Sequence, residues 1–239
     1  MDLKSVKRNL LLAVFLTTTA AMAAEPEPLF AGGMDLGGGH GIACFANAEQ
    51  AQAVKDQQGK IDSHSLEQIT SLEPLDLAEA KASSDTLVEP YSGEEYDQFV
   101  ERIIFYTESS SPAIGAKLRK AQEALWATYY STPHPIVAFF GKRISLSANC
   151  TYVQLAFQYM REAHVHLDSR LFFHPRMTVQ GQATLVLHEL VLSLFGSDES
   201  SGTKTSAAVS VLLTAHLSPS EVTRRLTQLG LLQETEPQD

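Results

Sequence analysis

The segment that most constrains the fold is 184–195, which is apolar on every side except at His188 and Glu189. A helix that is apolar all round is buried on all sides, so this segment predicts a helix at the centre of the domain. A buried carboxylate is costly unless it is paired, hydrogen-bonded, protonated or bound to a metal. Glu189 must therefore have a partner somewhere in the fold.

The same two residues form the first half of the H-E-x-x-H motif. In that motif two histidines one helical turn apart bind zinc, and the glutamate acts as general base. Here the position of the second histidine is occupied by Leu192, which cannot bind a metal. The sequence therefore argues against an active peptidase of this type.

A different zinc site remains an alternative. His164 and His166 lie two apart in an extended segment, which would place both imidazoles on one face. Together with His188 they could bind zinc with one open position, and Glu189 could activate the bound water as a catalytic base. The competing interpretation is structural, with His164 and His166 on the surface and a hydrogen-bonded core pair at His188 and Glu189. Short histidine patterns of this kind also occur in many proteins that bind no metal, so we favour the structural interpretation. We therefore expect no cofactor, with zinc as the alternative.

The first 23 residues match the pattern of a cleavable export signal. Three basic residues lie within the first eight, residues 10–23 are short and mostly apolar, and 21–23 reads Ala-Met-Ala. The apolar run is shorter than the roughly 20 residues that cross a bilayer, and no later segment is long and apolar enough. We expect an exported protein, periplasmic or secreted, with no transmembrane segment in its mature form.

The net charge of the chain argues against two classes of binding partner. The formal net charge is −10, and removal of a leader with a net charge of +2 makes the remainder −12. Such an acidic protein repels phosphate, so we expect it to bind neither nucleic acid nor anionic lipid. A protein partner stays open.

Cys44 and Cys150 are the only cysteines. In an oxidising compartment they most simply pair, and such a bridge would stabilise the fold by roughly 4–5 kcal/mol in the chain-entropy model. The alternative is a nucleophilic Cys44 with His40 nearby. We favour the disulfide because an exported lone thiol tends to be oxidised.

Periodicity and turn signals predict an α+β fold, a mostly helical single domain with a small sheet and a buried His-Glu helix. The predicted helices are 46–57, 94–107, 112–130, 180–195, 204–216 and one that opens at 218–221, with a broken helical pattern at 65–82. The predicted extended segments are 42–45, 135–140, 151–158 and 165–167. The domain would cover 42–232, after a flexible Gly-rich lead at 24–41 and before a polar tail at 233–239.

Four short motifs carry a resemblance. They are Gly-Gly-Gly-His-Gly-Ile-Ala-Cys at 37–44, Leu-Asp-Leu at 75–77, Cys-Thr-Tyr-Val-Gln-Leu-Ala at 150–156 and Leu-His-Glu-Leu at 187–190. In this order they resemble a family of exported proteins of Gram-negative bacteria, distantly zincin-like, to which no activity is assigned. Members of that family often have an aromatic residue or His at the position of Leu192. The resemblance implies export and supports the pairing of the two cysteines.

Three functional hypotheses follow from the sequence. The preferred one is an exported globular protein whose His188 and Glu189 are satisfied internally and which is not an active peptidase. The second is a zinc-dependent hydrolase, or a degenerate zincin-like domain, that uses the same two residues. The third is an envelope protein that binds a partner, for which an exposed apolar patch would be the structural sign.

Overall fold

The fold is taken from a computed structural model, which describes residues 29–30, 39–83, 86–132, 136–137, 144–159, 164–195 and 201–232. The expected export signal, most of the Gly-rich lead and the polar tail lie outside these residues. Among the described residues, none of the helices has the length and apolar character that crossing a bilayer requires.

The described residues form a mostly helical α+β fold, as predicted. The helices are α1 (Ala48–Asp56), α2 (Ser63–Glu67), α3 (Leu75–Ser83), α4 (Tyr96–Ser110), α5 (Pro112–Thr128), α6 (Ser169–Phe172), α7 (Val179–Phe195), α8 (Ser201–Leu213) and α9 (Pro219–Gln228). Local signals set several of the starts. At α9, for example, the Ser218 hydroxyl accepts a hydrogen bond from the Glu221 amide and Pro219 occupies the first turn.

Short strands complete the fold in three small sheets. The strands are β1 (Leu29–Phe30), β2 (His40–Phe45), β3 (Ile69–Pro74), β4 (Tyr129–Thr132), β5 (Ile136–Val137), β6 (Cys150–Gln154), β7 (Ala156–Tyr159) and β8 (His164–Asp168). The sheet orders are β3-β2-β6, β4-β8-β7 and β1-β5. The first is antiparallel throughout, and in the second β8 runs parallel to β4 and antiparallel to β7.

Gly39 and Leu155 join the two three-stranded sheets. The carbonyl oxygen of Gly39 accepts hydrogen bonds from the amides of Leu155 (2.9 Å) and Ala156 (3.1 Å). The carbonyl of Leu155 accepts from the amide of Asp168 at 2.9 Å. Because β6 ends before Leu155 and β7 begins after it, one stretch of chain contributes a strand to each sheet. The start of β2 is thereby fixed where both sheets meet α7.

The predicted disulfide is present. Cys44 and Cys150 face each other directly in the β2–β6 pairing and are bonded, with their Cα atoms 4.0 Å apart. The two residues lie 106 positions apart in the chain, so the bond links strand β2 to strand β6 in the middle of the chain. The alternative of a nucleophilic Cys44 is wrong for this structure, because its sulfur is taken up in the bond.

Parts of the chain differ from the prediction. The pattern at 65–82 predicts a broken helix, but the chain there forms the short helix α2, then strand β3, then helix α3. Ile69 and Leu72 are buried three residues apart, which is a helical spacing; it occurs in a strand here because the pairing with β2 shifts register and leaves Thr70 as an extra residue. The helix predicted at 112–130 ends at Thr128, and Tyr129–Thr132 form strand β4. Strand β2 also begins at His40, two residues before the predicted start.

The core lies where α7 meets its neighbours. Helix α7 packs against α3, α4, α5 and α8 and against strands β3 and β7. Twelve of its residues are buried, which confirms the prediction of a central helix. Apolar side chains therefore surround α7 on every side, and any polar side chain on it must be satisfied within the fold.

Candidate functional site

Glu189 is bonded within the fold through both of its carboxylate oxygens. One oxygen accepts the backbone N–H of Gly39 at 2.8 Å, and the other accepts the side-chain amide of Gln158 at 2.8 Å. The same Gln158 amide nitrogen also donates to the backbone carbonyl of Glu189 at 2.7 Å. Glu189 is only 1% exposed. The carboxylate thus ties the N-terminal strand and the second sheet to the central helix.

The close approach of strand β2 to this carboxylate requires a glycine at 39. A Cβ atom at that position would lie 2.0 Å from Cδ1 of Leu185 and 2.9 Å from a carboxylate oxygen of Glu189. Separations of this size are well inside van der Waals contact, so α7 or β2 would have to move. The Gly-rich run thus supplies a buried backbone donor at its last position before β2.

Burial raises the pKa of Glu189 above its ordinary value. The charge of His188 and the hydrogen bonds from Gln158 and Gly39 act in the opposite direction, and the negative charge of Asp76 adds to the rise. Desolvation outweighs the two hydrogen bonds because the group is almost entirely buried. The site therefore favours proton uptake by Glu189 at a higher pH than that at which an exposed glutamate is protonated.

His188 belongs to a second polar group one residue earlier on α7. Its Nδ1 forms a short hydrogen bond with a carboxylate oxygen of Asp76, and the other Asp76 oxygen accepts the hydroxyl of Ser206 at 2.6 Å. Asp76 comes from α3 and Ser206 from α8, and all three residues are buried. The group links three helices, and the carboxylate fixes the orientation of the imidazole.

The structure separates His166 from the face that meets Glu189. In the β7–β8 pairing Gln158 lies opposite Val165, and His166 lies opposite Phe157. Directly opposed residues share a face and neighbouring residues alternate, so His166 lies on the other face of the sheet from Gln158. The burial of Val165 and Leu167 marks the core face. The side chain of His164 lies outside the described residues.

Of the proposed zinc ligands, the structure shows His188 and Glu189 adjacent on α7, where each is bonded to its own partners. His166 lies on the sheet face opposite to Gln158, the partner of Glu189. The described side chains contain no group of three or more His, Cys, Asp or Glu residues arranged to hold a metal ion. The three-histidine site remains a prediction that awaits a metal-binding measurement.

Sequence reasoning missed four functional partners of the central helix. Gly39 and Gln158 are bonded to Glu189, Asp76 is bonded to His188, and Ser206 is bonded to Asp76; Gly39 and Asp76 lie in motifs quoted above, but none of the four is predicted as a partner. A signal existed for two of them. Asp76 lies between two leucines on a predicted apolar face, and Gly39 ends a run of three glycines.

Comparison of the chain with protein-family models, with curated proteins and with solved structures produced no match.

Proposed function

We propose that the protein is an exported, non-catalytic protein that acts by binding a partner through its surface, and that His188 and Glu189 form a structural centre. One observation carries the proposal: both carboxylate oxygens of Glu189 accept hydrogen bonds from within the fold while the residue is 1% exposed. A general base needs an oxygen that can reach the proton it takes from water or substrate. At 1% exposure, Glu189 presents no carboxylate oxygen to solvent in this arrangement.

Two further features support export. The first 23 residues match a cleavable leader, and the Cys44–Cys150 disulfide suits an oxidising compartment outside the cytoplasm. In most cytoplasms the two cysteines, 106 positions apart, would be kept reduced and the bond would not form. Export and disulfide formation are therefore expected together.

The zinc-dependent hydrolase remains the second candidate, and one contact favours it. Metal-binding histidines almost always have their second ring nitrogen bonded to a carboxylate or carbonyl, and Nδ1 of His188 is bonded to Asp76 in this way. The same contact also suits a purely structural role, because it gives a buried carboxylate a hydrogen-bond partner. The remaining ligands would have to come from His164 and His166, and His166 belongs to the opposite face of its sheet.

Zinc analysis separates the two candidates. The protein is exported from a Gram-negative host with its own leader, purified without chelator, and measured by elemental analysis and by thermal unfolding with and without added zinc. We expect far less than one zinc per chain and no rise in the unfolding midpoint. His188→Ala should lower the midpoint, whereas His64→Ala, an exposed histidine on α2, should not. One zinc per chain, lost in His188→Ala and kept in His64→Ala, would contradict the proposal.

A further inference from the structure

Exposed aromatic side chains are concentrated in one place. Four large apolar side chains stand out as exposed in the described residues, and three of them, Tyr91, Phe105 and Tyr106, belong to one patch. Their exposures are 61%, 59% and 49%. The hydroxyls of Tyr91 and Tyr106 lie 3.5 Å apart, and the ring centres of Phe105 and Tyr106 lie 6.3 Å apart. We call these three residues the aromatic patch.

The aromatic patch is held rigidly in place. The guanidinium of Arg102 lies 4.0 Å from the ring centre of Tyr91 and 4.8 Å from that of the buried Phe99. It donates two hydrogen bonds of 2.8 Å to the Glu94 carboxylate and one of 2.9 Å to the backbone carbonyl of Glu89. The Tyr91 amide also donates to Glu94 at 2.7 Å. The loop that carries Tyr91 is thereby fixed to α4, which lowers the entropy lost when a partner binds.

An apolar groove of about 550 Å³ adjoins the patch, between the 86–91 segment, α4 and the start of α9. Tyr91 and Tyr106 form one rim, and the apolar lining includes Val88, Ile103, Leu212, Leu217 and Val222. Rigid tyrosines beside an apolar pocket are the composition of binding hot spots. The volume suits one or two apolar side chains of a partner rather than a whole folded surface.

The charge at the groove selects the partner. Glu94 neutralises Arg102, whereas in the described part of the chain no salt bridge engages the exposed Glu89 at the groove wall. With Arg102 paired to Glu94, Glu89 is the acidic group of a lining that also contains His216, on a protein whose overall formal charge is −10. A second copy or an anionic membrane would be repelled, and a basic segment attracted.

We propose that the aromatic patch and groove bind a polypeptide segment that carries an apolar side chain next to a lysine or arginine. The apolar side chain enters the groove against Tyr91 and Tyr106, and the basic side chain pairs with Glu89. This inference rests on the proposed function, because it names the surface and the partner class of a binding protein. It stands apart from the buried centre, which contributes no atom to the groove.

The test uses fluorescein-labelled nonapeptides of Gly and Ser with a central Lys-Leu, Arg-Phe or Lys-Trp pair, titrated with the full mature protein by fluorescence anisotropy. We expect saturable binding in the micromolar range for at least one peptide, and much weaker binding when Glu replaces its basic residue. Tyr91→Ala and Tyr106→Ala should each weaken binding about tenfold. Glu89→Gln should weaken it about threefold at low salt, with little difference at about 1 M salt.

Phe173→Ala is the matched control, because Phe173 is 58% exposed but lies outside the patch and the groove lining. Its affinity should equal that of the wild type. No saturable binding up to about 1 mM, or binding unaffected by both tyrosine variants, would overturn the inference. Co-sedimentation with phosphatidylglycerol vesicles that is lost in the tyrosine variants would overturn it in favour of a membrane surface.

The two proposals fail separately. Stoichiometric zinc at His188 would remove the proposed non-catalytic function without changing the peptide titration. Conversely, if a partner binds the zinc-free protein with an affinity that Tyr91→Ala and Tyr106→Ala leave unchanged, the proposed function would stand and this surface would be rejected.

Discussion

The interior around Glu189 and the surface around Tyr91 depart from the usual placement of side chains in opposite directions. The interior buries two carboxylates and an imidazole, and hydrogen bonds within the fold engage each of them. The surface exposes three large aromatic side chains that a folded core would normally take in. Folding therefore accounts for the first region, whereas the second needs an explanation outside the fold. This contrast is why we assign structure to the centre and binding to the patch.

The largest effect should come from Gly39→Ala. The added methyl group would overlap the Leu185 side chain and press on the Glu189 carboxylate, so either these buried side chains must repack or strand β2 must withdraw, and the hydrogen bond from Gly39 is strained or lost. We expect the free energy of unfolding to fall by about 3–5 kcal/mol, measured by urea denaturation. Gly93→Ala is the control, because its site is open but its φ is +78°, and strain alone should cost about 1–2 kcal/mol. Equal losses in both variants would mean that the centre is not tightly closed.

Glu189→Gln should remove a pH dependence that the wild type shows. The pKa of Glu189 is raised by burial, so the folded state holds its proton more tightly than the unfolded state does. The stability from this group is complete below the unfolded pKa of 4.5 and is lost as pH rises through the folded pKa. We expect the difference in the free energy of unfolding, wild type minus Glu189→Gln, to decrease as the pH rises above about 4.5. Urea denaturation of both proteins across this pH range measures the difference.

The comparison with the variant is needed because other carboxylates contribute stability that increases with pH. The pKa of Glu94 is lowered by its hydrogen bonds to Arg102, and that of Glu221 is lowered to about 2 by Arg224 and Arg225. Both residues are present in the variant as well, so their contributions cancel. A difference curve that rises with pH would show that Glu189 is stabilised as an ion.

Ser206→Ala tests the second buried group with a smaller expected loss. Removing the hydroxyl takes one hydrogen bond of 2.6 Å from the Asp76 carboxylate, which should cost about 1.5–3 kcal/mol of unfolding free energy. Ser210→Ala, one turn further along α8 and half-buried, should cost less than about 0.5 kcal/mol. Thermal unfolding of the two variants measured side by side decides whether the Asp76–His188 contact depends on Ser206.

The smallest stability effect should belong to the surface. Tyr106→Ala removes a side chain that is 49% exposed, so its unfolding free energy should stay within about 0.5 kcal/mol of the wild type. Peptide binding in the same variant should nevertheless drop. A large loss of stability would show that the aromatic patch belongs to the core, and it would erase the contrast between the two regions.

The central helix could be predicted because its signal is local. Apart from His188 and Glu189, the residues from 184 to 195 give an apolar pattern that predicts a buried helix, and the chain forms that helix. The pairing of Cys44 with Cys150 was equally accessible, since two cysteines allow one pairing. The fold class followed from the order of helices and short strands.

Local signals marked Gly39 and Asp76, but they could not show which residue each would meet. Gly39 contributes only a backbone N–H, which every residue except proline possesses, and it meets Glu189 across 150 positions. Gln158 lies in a strand whose alternation does not mark it as special until the register with β8 is known. The aromatic patch could not be predicted from the sequence for a similar reason. Phe105 and Tyr106 read as part of a helix, and their exposure depends on which face of α4 packs inward.

The contact between Gly39 and Glu189 also dictates when the molecule can become complete. During synthesis from the N-terminus, strand β2 emerges long before α7 exists, so the amide of Gly39 must wait until about four-fifths of the chain has been made. Contacts this distant in sequence slow folding, because the intervening loop must close first. A chain that has not yet made this contact is incompletely folded, and for an exported protein, as we propose this one to be, that is the state in which a narrow translocation channel accepts a polypeptide.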